Sequence, residues 1–184
     1  MPGKLAYIRG KKTPKVDCII CSVLSKDPRV DCLLIWEDDL CGVSANLYPY
    51  NAGHLLIFPK RHILDLREMS SEEAFRLSEI TKGSLDILDK IYEPAGYNIG
   101  FNIGDASGAS VAHLHQHLVP RYPKELGFMD IMAGTKIIIE SPQETMKKLK
   151  KGFASFSPGR DYQKKLKLNH KDHKAHKEKK EIRF

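Results

Sequence analysis

The chain has 184 residues, 41% of them hydrophobic, and carries a formal net charge of +7. That is enough apolar material for one ordinary domain, and no stretch approaches the ~18 uninterrupted apolar residues that a membrane span needs. The charge is uneven: residues 152–184 hold ten Lys and Arg against four Asp and Glu, so +6 of the +7 lies there. We therefore divide the chain into a domain at 1–151, opening with a basic arm at 1–17, and a basic tail at 152–184 that is too polar to bury a face.

The opening residues, "MPGKLAYIRGKKTPK", contain no apolar run of signal-peptide length, so the expectation is a cytoplasmic protein that meets no membrane. "VDCIICSVL" places a Cys-x-x-Cys, Cys18 and Cys21, at a short turn leading into a helix or strand. "CLLIWEDD" and "CGVSANL" are β-like runs, and Cys32 and Cys41 within them read as plain thiols. "YPYNAG" is turn chemistry, and "HLLIFP" from His54 to Pro59 is an apolar run too short for a helix, best read as a buried strand.

At Ser70 the period changes. Ser70 and Glu73 form a capping-box signature, after which Ala74, Leu77, Ile80, Leu85, Leu88 and Ile91 make one apolar helix stripe, stopped by Pro94 and Gly96. "YNIGFNIG" is a strand, "DASGAS" a small-residue loop, and residues 111–119 a further strand ended by Pro120. A short helix starts at Ser141, with Pro142 at its first position and Glu144 completing a second capping box. Strands, a long helix, strands and a short helix predict an α+β fold with an antiparallel sheet.

The segment "HLHQH" sets His113, His115 and His117 at alternate positions, on one face if the segment is a strand. At ~3.3 Å rise per residue the outer pair would lie ~13 Å apart, so one metal ion cannot use all three. The loop before them, "NIGDASGAS", offers Gly108, small side chains and Ser110, whose backbone N–H groups can approach phosphate oxygens closely. A neutral imidazole attacks phosphorus without prior deprotonation. A phosphate-binding loop beside a row of imidazoles is a coherent phosphoryl- or nucleotidyl-transfer site. His54 and His62 lie in strand-and-turn segments that could converge on the same place.

"HLHQHLVPR" and "NAGHLLIFPKRH" resemble the histidine triad family, and "NLYPYNAGH", "GYNIGFNIGDASGAS" and "GFMDIMAGTKIII" resemble its diadenosine-tetraphosphate phosphorylase-like branch. The resemblance implies an antiparallel sheet with one long helix and a short C-terminal one, usually in a homodimer. It also implies action at the α-phosphate of a nucleotide, with adenine as the base. Carried over, His115 is the nucleophile, forming a covalent nucleotidyl-histidine that water or phosphate then releases. His117 lies near the α-phosphate, and His54 orients His115 through its other ring nitrogen. Asn46 contacts the ribose, and Asn102 and Ser110 the phosphates or leaving group. Where many relatives carry Gln, this chain has Ala109, which removes a phosphate-contacting amide. Related proteins with a Cys-x-x-Cys complete a structural zinc site with the positions here occupied by His62 and His113, giving Cys18, Cys21, His62 and His113. Hydrolysis and phosphorolysis stay open, as does a non-catalytic nucleotide-binding module, which the presence of His115 disfavours. The Lys- and His-rich tail reads as a solvated segment rather than a nucleic-acid arm, since aromatic interleaving is sparse.

Overall fold

The computed structural model describes residues 14–123 and 140–158. Five strands form one antiparallel sheet in the order β1-β2-β3-β5-β4: β1 Leu34–Glu37, β2 Cys41–Ala45, β3 Leu55–Pro59, β4 Gly96–Phe101 and β5 Gln116–Arg121. Among the described residues three α-helices join it: α1 Ile19–Leu24, α2 Ser71–Tyr92 and α3 Pro142–Phe153. The α+β reading and both capping boxes stand. Ser70 Oγ accepts from the Glu73 N–H and Ser141 Oγ from the Glu144 N–H, while each Glu returns a bond to the cap.

Strand alternation sorts side chains to two faces. Val43, Leu55, Ile57 and Leu118 point to one face and are buried under Leu77, Ile80, Ile87 and Leu88 of α2 and Leu149 and Phe153 of α3. Phe58 and Leu34 point to the other, where they meet Cys18, Ile20 and Val23 around α1. Gly42, opposite Phe58 across β2 and β3, makes room for its ring: a Cβ there would lie 2.6 Å from Phe58 Cε2. Thr81 Oγ1 on α2 donates to Gln116 Oε1 at 2.6 Å, which fixes Gln116 to the helical face. Its neighbours His115 and His117 therefore turn to the face of α1, where the site is built.

Four expectations need correction. The segment 111–115 is irregular, and the strand begins only at Gln116. The reason is its bonding: the Leu114 N–H goes to Ile63 O (2.7 Å) and the His113 N–H to Val111 O (2.9 Å), so neither joins a ladder. Pro120 lies within β5 rather than ending it. It is paired to Tyr97 on β4 but lies beyond the stretch paired to β3, so its missing N–H leaves no ladder gap there. In α2, Ala74 is exposed and Glu73 buried, because Glu73 folds back to the cap and to Arg61. Finally, packing continues past Lys151: Phe153 is buried, and it and Phe156 stack around Trp36 at 6.5 and 5.1 Å between ring centroids.

Candidate active site and metal centre

His115 is buried, with 5% of its surface exposed. Its Nδ1 lies 2.6 Å from the His113 carbonyl oxygen. A carbonyl only accepts, so Nδ1 carries the hydrogen and Nε2 holds the lone pair. Burial pushes the imidazole's pKa below its ordinary value, which keeps the ring neutral and nucleophilic at neutral pH. The expectation that His54 orients His115 is corrected here: the orienting group is the main-chain carbonyl two residues back.

His54 instead serves His117. The Tyr50 N–H donates to His54 Nδ1 at 3.1 Å, so the hydrogen of His54 is on Nε2 and is directed at His117 Nδ1, 3.0 Å away. His117 must then carry its own hydrogen on Nε2, 3.4 Å from the Asn102 side-chain amide, which accepts it with its oxygen rather than its NH2 turned toward the ring. Two donors in series, the Tyr50 N–H and the His54 Nε2–H, thus set the tautomer of His117 from the backbone of a turn. The turn depends on Gly53, whose φ of +78° favours glycine and where a Cβ would lie 3.2 Å from Leu88, Pro120 and Tyr92. The rings of His115 and His117 meet edge to face at 4.8 Å between centroids. One ring offers a lone pair and its neighbour an N–H.

Asn46 lies with Nδ2 3.3 Å from both ring nitrogens of His54, and its Oδ1 accepts the Tyr48 N–H at 3.0 Å, so it shapes the turn as well as facing the site. Asn46 and Ser110 also line a cavity of about 270 Å³ whose walls include Ile20, Leu33, Leu47 and Leu56. Gly108, with φ of +81°, lets the loop turn, and no atom lies within 4 Å of where its Cβ would be. The structure therefore gathers His54, His115, His117, Asn46 and Asn102 into one network, with Ser110 at the cavity. Sequence reading missed the Tyr50 N–H and the His113 carbonyl, since backbone groups leave no signature in residue identity.

The remaining two histidines turn elsewhere. His113 Nδ1 lies 3.5 Å from Cys18 Sγ and 3.6 Å from Cys21 Sγ, and His62 Nδ1 lies 3.4 Å from Cys21 Sγ. All four donor atoms fall within 4.8 Å of one another. Bond lengths of ~2.3 Å to sulfur and ~2.0 Å to nitrogen put the S···N edge of a zinc tetrahedron at ~3.6 Å. The spacing fits. So does the chemistry: His113 Nε2 donates to Pro59 O at 2.8 Å, leaving Nδ1 as the lone-pair end toward the sulfurs. Cys18 caps α1 and its Sγ accepts the Cys21 N–H at 3.4 Å. Burial and the facing Cys18 sulfur push the Cys21 thiol up to about 11, so a cation is what would make its sulfur an anionic donor. Cys41 is wholly buried and Cys32 exposed, and neither touches this group.

Five antiparallel strands, a long helix and alternating histidines split between two clusters define a protein of the histidine triad type. The chain belongs to the HIT domain family, whose profile matches residues 27–124. It is 36% identical over 118 residues to a protein of Mycobacterium tuberculosis named AP-4-A phosphorylase, covering 64% of this chain and 60% of that one. The chain thus spans about 60% of the length of that relative. It is 31% identical to a HIT-like protein of Methanocaldococcus jannaschii, covering 57% of this chain and 79% of the other. Among solved structures it resembles a zinc-bound histidine triad family protein from Mycobacterium smegmatis, at 25% identity and a TM-score of 0.62, over 75% of this chain and 94% of that one.

Proposed function

We propose that the chain cleaves a nucleotide conjugate at its α-phosphate through a covalent nucleotidyl-histidine, as a hydrolase or nucleotidyltransferase. The observation that carries this reading is the 2.6 Å bond from His115 Nδ1 to the His113 carbonyl. It leaves Nε2 as the lone pair that forms the P–N bond while the P–O bond to the leaving group breaks. The ring then becomes cationic, and the carbonyl dipole at Nδ1–H stabilises it. The His117 Nε2–H, held by His54, stabilises the charge gathering on the phosphate oxygens. Water or inorganic phosphate attacks the same phosphorus in the second step, and His115 leaves as the neutral imidazole. Losing one such charge-stabilising contact costs on the order of 3 kcal/mol of barrier.

The apolar cavity beside Asn46 suits a nucleobase with its ribose, adenine being the base that the Mycobacterium tuberculosis relative's name suggests. That relative also favours the phosphorolytic variant, in which phosphate is the second attacker. The zinc-bound relative and the donor spacing support zinc at Cys18, Cys21, His62 and His113. A homodimer fits β4, an edge strand on which Asn98, Ile99 and Gly100 are exposed. Incubation with diadenosine tetraphosphate and intact-mass analysis tests the central claim. An AMP adduct appears in the native chain and is absent in His115→Ala; an adduct surviving that substitution refutes it. ADP formed only when phosphate is present identifies phosphorolysis.

A further inference from the structure

The metal cluster and the nucleophile share a residue. The His113 ring faces both sulfurs through Nδ1, while its main-chain carbonyl holds His115 Nδ1. The neighbouring Leu114 N–H bonds to the carbonyl of Ile63, the residue after the ligand His62. Sheet pairing begins only at Gln116, so no ladder bond fixes the carbonyl that orients the nucleophile. That carbonyl shares its peptide with the Leu114 N–H, so it is held by the bond to Ile63 O and by whatever fixes His113 and the His62–Ile63 segment.

We propose that the Cys18–Cys21–His62–His113 cluster, when it holds a tetrahedral cation such as zinc, is the device that positions the nucleophile, with His113 as the positioning residue. The inference rests on the reading of His115 as the nucleophile. The Nδ1 bond to a cation and the 2.8 Å bond from Nε2 to Pro59 O clamp the His113 ring from opposite edges. A ring held at both edges cannot rotate about its side-chain torsions, so the peptide that carries it keeps its carbonyl on His115 Nδ1–H. With Cys18 capping α1, the cluster also ties this segment to α1 on the same face of the sheet. Without the cation, the His113 ring and the His62–Ile63 segment each lose an anchor, and the carbonyl between them holds the nucleophile less firmly. Misplacement of a reacting group by about 1 Å can cost about a hundredfold in rate.

The test uses the full chain. As purified it should carry about one equivalent of zinc, and NMR of ¹⁵N-histidine-labelled protein should show a slowly exchanging His115 Nδ1–H. Cys21→Ser should lose the metal and show that proton in fast exchange with water. Its adduct formation and kcat should fall about 10- to 100-fold, with KM for the nucleotide changing less, because Cys21 itself does not line the cavity. Cys21→Asp, which restores an anionic donor, should recover metal, proton signal and rate together. His62→Gln removes the exposed ligand and serves if Cys21→Ser does not fold. Metal-free variants with a native Nδ1–H signal and native adduct rate overturn the proposal, as does native protein with under half an equivalent of zinc. If zinc-loaded native protein never forms an adduct, the catalytic reading fails instead, and the Nδ1–H exchange alone judges the positioning.

Discussion

His54 has no exposed surface, yet the tautomer of His117 depends on it. Removing it leaves His117 Nδ1 without its donor and lets the proton choose either nitrogen. We expect His54→Ala to lower kcat by up to about a hundredfold while KM changes little. Unchanged kcat would mean that His117 finds its tautomer without help. Glu73 makes a second residue-scale prediction. Its bonds from the Arg61 guanidinium hold the carboxyl at about 2, below an ordinary value of 4.5. A folded-state value below the unfolded one stabilises the fold above pH 4.5, and the gain disappears as pH falls toward about 2. Because Arg61 is half exposed, the gain is about 1–2 kcal/mol after screening. Denaturant midpoints of native protein and Glu73→Gln should converge across that window; a constant gap would place the shift elsewhere.

At the scale of elements, features set by local bonding were legible in the sequence and those set by distant partners were not. The starts of α2 and α3 were legible because Ser-x-x-Glu is a local bonding pattern, complete within four residues. The start of β5 was not, because the alternation from His113 to His117 looks like a strand while the Leu114 N–H is claimed by Ile63, fifty-one positions earlier in the chain. Gly42 was equally silent, since its need for space comes from Phe58 on the next strand. Phe58 is wholly buried and cannot swing aside. Gly42→Ala should therefore cost about 1–3 kcal/mol of stability. A loss under half a kcal/mol in urea titrations would show that the ring yields.

For the whole molecule, Trp36 on β1 joins the first third of the chain to its last described turn through Phe153 and Phe156. A chain ending at Lys151 should be less stable than one ending at Pro158 by roughly 3–5 kcal/mol, the range for deleting a buried aromatic side chain. Equal midpoints would put the domain's end where charge alone placed it. Composition marks the change from apolar to basic sequence, but two phenylalanines in a polar stretch are too few to shift it.

Residue identity by itself determined the α+β class and both capping boxes, because each is written in local pattern, while the resemblance to a family supplied the histidines of the site and the expected pairing of Cys-x-x-Cys with two of them. The segment "GFMDIMAGTK", which contributed to the resemblance, lies outside the described residues. The tertiary structure alone decided which nitrogen of each catalytic ring keeps its lone pair. His54 turns to His117 and His115 to a carbonyl, since main-chain groups and packing across the sheet select a ring's partner and therefore its tautomer.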